Sequence, residues 1–140
     1  MSPTARTLAA LRASGWVADV VERWIGGGGF KVRKACFGLG DILAYLPDTA
    51  GVLLIQACAA TDLRRRVAKL CGVDEAVSWL RPGGERRLEG WSWRIGGAVG
   101  VRKLWSATVV PLSAQDGRVV ALEPLRLTPE ELARQRRGTA

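Results

Sequence analysis

The chain has 140 residues, with 21 lysines and arginines against 13 acidic residues, no histidine and a formal net charge of +8. That length fits one domain with a real core. The missing histidine excludes Ser/His/Asp and Cys/His triads and His-ligated zinc, so any chemistry must run on carboxylates, thiols, hydroxyls, Lys or Arg. Most of the cations are arginines, whose forked guanidinium grips phosphate oxygens in pairs, and this points to a polyanionic partner, nucleic acid ahead of an anionic membrane.

Ser2-Pro3 followed by TARTLAALRASG predicts a first helix, with a hydroxyl cap, proline at the first helical position and Gly15 as terminator. Leu8 and Leu11 form its apolar stripe, with Arg6 and Arg12 elsewhere on the surface. Residues 16–25, WVADVVERWI, are rich in β-branched and aromatic types and predict a strand. Gly26 to Gly29 then break regular structure. A phosphate-binding loop would continue into Gly-Lys-Ser/Thr, which FKVRKA does not supply, so the tetraglycine is a flexible turn.

GDILAYL (40–46) and VLLIQAC (52–58) flank the turn-forming PDTAG and predict an antiparallel hairpin buried on both faces. Placing Tyr45 opposite Val52 sets Leu43 opposite Leu54 and Asp41 opposite Gln56. Directly opposed residues share a face in a regular ladder, so Asp41, Gln56 and Cys58 are expected to cluster at one end of the sheet. Thr61 or Asp62 caps the next helix, LRRRVAKLCG, whose Leu63, Val67 and Leu70 follow an i, i+4, i+7 pattern. Arg64, Arg65, Arg66 and Lys69 occupy its other faces as a phosphate-attracting surface. A short helix, DEAVSWL, precedes the Arg81-Pro82-Gly83-Gly84 break. Two strands follow, RLEGWSWRI and KLWSATVVPL. Finally TPEELARQRR carries a Thr128/Glu131 capping box and runs into a basic tail. Trp91, Trp93 and Trp105 on the late strands interleave with Arg94 and Lys103. Such a pattern can stack bases, although strand tryptophans are more often core.

Cys36, Cys58 and Cys71 are odd in number, widely spaced and lack a CxxC pair, as expected of free thiols in a reducing, intracellular (cytoplasmic) setting. The start of the chain carries no signal-peptide apolar region, and no apolar run reaches membrane-spanning length.

The order of helix, strand, strand with an aspartate, strand with a polar pair, then helix resembles the PD-(D/E)XK nuclease superfamily, in particular a group of small resolvase-like proteins of phage and bacterial genomes. The segments that carry the resemblance are ARTLAALRASGWVADVVERW, FGLGDILAYLP, VLLIQACA with RRRVAKL, and AVSWLRPGGERRLEGWSWR, covering roughly residues 4 to 95. It implies a restriction-endonuclease-like α/β three-layer sandwich, a mixed central sheet flanked by helices, over residues 1–127, with 128–140 a C-terminal helix and tail. It also implies a Mg²⁺-dependent (or Mn²⁺-dependent) endonuclease acting on DNA, branched DNA included, and a homodimer, since symmetric cutting of two strands needs two sites.

In that superfamily the aspartate and the acidic residue of the D/E-x-K triplet hold the metal, and the lysine helps activate water. Asp41 falls at the aspartate, Gln56 at the acidic position and Cys58 at the lysine. The resolvase-like group looks as if it carries Gln where Gln56 stands, whereas Cys58 departs from the pattern. Mg²⁺ needs hard oxygen ligands, one or two carboxylates with water and phosphate. Asp41 supplies one, the Gln56 amide oxygen is a neutral second, and Glu22 adds another if the first strand lies beside the hairpin. Arg33, Lys34 or Lys69 are the stand-ins for the missing ammonium, and Arg33, Lys34, Arg64, Arg65, Arg66 and Lys69 the DNA contacts. Two other outcomes stay open: a nuclease-fold binding module without catalysis, and a phage structural or assembly module.

Overall fold

The computed structural model describes residues 1–26, 32–82, 84–96 and 103–138. The chain begins with helix α1 (Pro3–Ala13), capped by the Ser2 hydroxyl, which accepts the Ala5 amide at 3.1 Å. Strand β1 (Val17–Val20) follows. The strand expected over 16–25 divides here. The Val21 amide donates to the Asp41 carbonyl at 2.9 Å, and the chain then leaves the sheet. It forms a separate two-stranded ribbon of β2 (Arg23–Ile25) and β3 (Val32–Lys34). Gly27 to Gly29 of the expected glycine turn lie outside the described residues.

Strands β4 (Ile42–Tyr45) and β5 (Val52–Ala59) pair antiparallel with Leu43 opposite Leu54, the register expected from the sequence. Six consecutive residues of β5, Leu53 to Cys58, are buried, because helices cover the sheet on both sides. Helices α2 (Leu63–Cys71) and α3 (Asp74–Leu80) carry the chain across to β6 (Arg86–Gly96), which runs parallel to β5, the connection that a parallel pair requires. Strand β7 (Leu104–Gln115) returns antiparallel to β6. Two strands not expected from the sequence, β8 (Arg118–Ala121) and β9 (Leu125–Leu127), both pair with β7. Asp116 and Gly117 adopt positive φ of 53° and 76° between β7 and β8, the Asp-Gly hairpin turn that tightens a two-stranded corner. Helix α4 (Pro129–Gly138) closes the described chain, with Thr128 Oγ1 accepting the Glu131 amide at 3.2 Å.

The result is a mixed α/β architecture: a seven-stranded sheet in the order β1-β4-β5-β6-β7-β8, with β9 also on β7, and four helices among the described residues. One apolar layer joins Leu11 of α1 and Leu132 of α4 to Ile42, Leu53, Ile55, Ala57, Trp91, Trp93 and Val109. The other joins Leu63, Val67 and Leu70 of α2 and Ala76 and Leu80 of α3 to Leu54, Cys58, Leu88 and Val110. Helix α2 settles closely on β6, since a Cβ at Gly90 would lie 2.9 Å from Val67 Cγ2. No helix among the described residues is long and apolar enough to cross a membrane.

Candidate functional site

The FGLGD segment is a tight turn. Phe37 and Gly38 take positive φ of 56° and 72°, and Cys36 and Gly40 exchange backbone hydrogen bonds, Cys36 N–H to Gly40 O at 2.7 Å. A side chain at Gly40 would meet Leu54 Cγ at 2.7 Å and Ile55 O at 2.9 Å. Only glycine lets the turn press this closely against β5, and the turn delivers Asp41 to the head of β4.

Asp41 does not continue the alternation of β4. Its amide donates to Ile55 O at 2.9 Å, although Ile55 is the register partner of Ile42. Two residues thus oppose one, the geometry of a β-bulge, which re-aims a side chain. The carboxylate turns toward α1: Oδ1 accepts the Ala57 amide at 3.1 Å, and Oδ2 accepts the Thr4 hydroxyl at 3.4 Å. Asp41 is only 6% exposed. Burial pushes its pKa up to about 6, and the negative charge of Glu22 adds to the rise, while the Ala57 amide, its own amide and Thr4 oppose it.

Glu22 comes to this place because β1 lies beside β4 (Val20 opposite Ile42) and hands the chain on through Val21 to the carbonyl of Asp41. Its carboxylate is 21% exposed and faces Arg33 of β3, Nη1 to Oε1 at 3.5 Å. The pairing of β2 with β3 sets Trp24 opposite Arg33 and Arg23 opposite Lys34. Of the three cations considered as stand-ins, Arg33 is therefore the one brought against an acidic site residue. Lys34 is exposed on the same ribbon, and Lys69 lies exposed in the last turn of α2.

The expected cluster of Asp41, Gln56 and Cys58 divides: Gln56 takes the other face of the sheet, while the Asp41 charge still reaches Cys58 and adds to the rise of its thiol. Gln56 lies between Ile55 and Ala57, which face α1, and so shares the opposite face with Leu54 and Cys58. Its register partner is Gly90, the residue on which α2 sits. The register itself is as expected, but the bulge swings Asp41 to the α1 side. Gln56 is 9% exposed and its amide makes no hydrogen bond to the described residues. Cys58 is 6% exposed within the α2-side core, and burial pushes its thiol up to about 11. A neutral thiol supplies neither the charge nor the base of a lysine.

The α2 cations form an exposed surface. Arg64, Arg66 and Lys69 point outward, and Arg65 bonds Asp62 Oδ1 at 3.1 Å. Asp62 thus precedes α2 without capping it by its side chain. Sequence reasoning missed Thr4, which could be found only by knowing that the first turn of α1 overlies Asp41. It also missed Glu89, 5% exposed, which accepts Trp91 Nε1 at 3.0 Å and Arg87 Nη2 at 2.9 Å. A cavity of about 750 Å³ beside Glu89, lined by Trp16, Leu53, Trp91 and Leu127 among others, includes neither Asp41 nor Glu22.

Among the described residues no three His, Cys, Asp or Glu side chains gather as a metal cluster. The donor set at Asp41 is of the sparser kind: two neighbouring carboxylates, one of them buried, next to an arginine. That set fits Mg²⁺, which keeps most of its waters and takes one or two carboxylates with substrate phosphate. Compared with known proteins, the chain matches no family model, no curated protein and no solved structure.

Proposed function

We propose that the chain is a DNA-binding, metal-dependent endonuclease-like protein that hydrolyses phosphodiesters, built as a restriction-endonuclease-like sandwich related to the PD-(D/E)XK nucleases. The observation that carries this is Asp41, a buried carboxylate turned out of its strand by a bulge and set under the charge of Glu22. An isolated anion in such a place is costly, and a divalent cation relieves both its burial and the repulsion from its neighbour. With the β2–β3 ribbon and α3 as insertions, the succession α1, β1, β4, β5, α2, β6, with β5 and β6 parallel, supports the same relationship.

Asp41 and Glu22 would hold Mg²⁺ or Mn²⁺. When bound, such an ion would supply Lewis-acid chemistry at the scissile phosphate. The Ala57 amide and Thr4 hydroxyl fix the Asp41 carboxylate. Arg33, already beside Glu22, offers a guanidinium to the scissile phosphate, and Arg64, Arg66 and Lys69 offer contacts to a more distant backbone. Gln56, whose amide lies on the α2 side with no hydrogen bond among the described residues, is not assigned to the ion. A homodimer belongs to this proposal if both strands are cut.

The test is Mg²⁺-dependent nicking of a panel of duplex and branched DNA. Cleavage by the wild type, abolished in Asp41→Ala, is the expected result. A second reading rests on Cys58: with a neutral thiol where the superfamily places its lysine, the fold would serve as a nucleic-acid-binding module without catalysis. DNA binding with no cleavage by the wild type would select it.

A further inference from the structure

The three late tryptophans separate sharply. Trp91 and Trp93 are 3% and 7% exposed, with their indole N–H groups donated to Glu89 Oε1 at 3.0 Å and Thr7 Oγ1 at 2.9 Å. Both are core residues. Trp105 is 38% exposed, and its indole N–H makes no hydrogen bond to the described residues. One face of its ring is covered by the Arg6 guanidinium, 3.7 Å from the ring centroid. A guanidinium stacked on indole holds the ring in place without burying it.

The surroundings are cationic and apolar together. Ile95, directly opposite Trp105, is 50% exposed and Leu104 55%. Lys103 is exposed just before β7, and Arg94 is exposed on the other face of β6 from Ile95. The sequence contains no Asp or Glu from residue 90 to residue 115. The place of Trp105 relative to the Asp41 site is fixed twice over. Ala59, the last residue of β5, aligns with Trp93, so Ile95 and Trp105 project beyond β5 at the same end of the sheet as Asp41. Helix α1 also bridges the two, Thr4 touching Asp41 and Arg6 touching Trp105. Three strand spacings and the six-residue rise from Glu89, the partner of Ile55, to Ile95 put Trp105 roughly 25 Å from the Asp41 backbone, a distance that a short run of nucleotides covers.

We infer that Trp105, backed by Arg6, is a stacking platform for an unpaired nucleobase of the DNA whose backbone passes Asp41. The inference rests on the DNA-binding function proposed above and narrows its substrate to DNA with a single-stranded or unpaired segment. A duplex offers no free base face, whereas every unpaired base has one, and stacking on an aromatic ring is tolerant of sequence.

The experiment is fluorescence anisotropy of a labelled 12-nucleotide oligo-dT and of a blunt duplex of matched length, in EDTA so that no cleavage intervenes. Wild type, Trp105→Ala and Trp105→Phe are compared, with thermal melting and sedimentation of each variant. The expected result is an affinity for oligo-dT about tenfold lower in Trp105→Ala. Affinity in Trp105→Phe should stay close to wild type, and duplex affinity should stay unchanged in both. An equal loss on both DNAs, no loss on either, or a change in sedimentation with none in DNA affinity would overturn it, the last assigning the patch to self-association. If the wild type binds neither DNA, the proposed function fails and takes this platform with it. If the wild type binds both and Trp105→Ala changes nothing, only the platform falls.

Discussion

Replacing Asp41 by asparagine removes a charge that the native state holds at a disadvantage, while Asn Oδ1 still accepts the Ala57 amide. The carboxyl rises from 3.8 to about 6 on folding, mainly through burial. At about 1.4 kcal/mol per pH unit, that corresponds to roughly 3 kcal/mol of stability lost on ionisation. The sign follows from proton binding. Between pH 4 and 6 the native state holds the proton more tightly than the unfolded chain, so this group's contribution is fully present below about pH 4. It falls as pH rises through 6 and is flat above. The variant is insensitive at this position. Urea unfolding of both proteins at pH 4, 5, 6 and 7.5 without divalent metal should show nearly equal stability at pH 4. Asp41→Asn should gain steadily to an advantage approaching 3 kcal/mol at pH 7.5, on the order of 10 °C in Tm. A pH-independent difference, or an asparagine variant less stable at pH 7.5, would refute the claim that this carboxylate is held buried and strained by its setting.

Three further outcomes follow from the same geometry. Gln56→Leu replaces a buried amide that has no hydrogen-bond partner among the described residues by an apolar side chain of similar size and should raise stability by about 1 kcal/mol in denaturant unfolding; a loss would mean that the amide has a partner. Gly40→Ala places a methyl group 2.7 Å from Leu54 Cγ and 2.9 Å from Ile55 O and should destabilise by about 1–3 kcal/mol, read by thermal melting, with no effect if the turn does not press on β5. Combined Arg64→Ala, Arg66→Ala and Lys69→Ala should weaken DNA binding and reduce the slope of log K against log salt by up to about 3. An unchanged slope would remove α2 from the interface, and salt-insensitive binding by the wild type would favour an assembly scaffold.

Local signals in the sequence carried much of the fold. Ser2 and Pro3 start α1 as capping rules require, Leu63, Val67 and Leu70 bury one face of α2, and the β4–β5 register follows from matching two apolar runs. Less legible was anything that depends on where a strand stops. Residues 16–25 have uniform strand propensity, yet the chain leaves the sheet at Glu22, because Val21 is bonded to the carbonyl of a residue that sits in a bulge. Strands β8 and β9 are too short to stand out, although Asp116-Gly117 signals the hairpin between β7 and β8. The candidate site was half readable. Asp41 and Glu22 are visible as acidic residues near apolar strands. The bulge that separates Asp41 from Gln56 is a backbone event, and strict alternation hides it. Trp105 shares the strand pattern of Trp91 and Trp93, and only the position of Arg6 and the end of β5 distinguish a projecting indole from two buried ones.

Isothermal titration calorimetry with Mg²⁺ and Mn²⁺ asks without DNA whether Asp41 and Glu22 hold a divalent ion, comparing wild type, Asp41→Asn, Glu22→Gln and Gln56→Ala at pH 7.5. The expected result is one binding event in the wild type, its loss in Asp41→Asn, clear weakening in Glu22→Gln, and no change in Gln56→Ala. Binding of equal strength in wild type and Asp41→Asn, or dependence on Gln56 and not on Glu22, would contradict it.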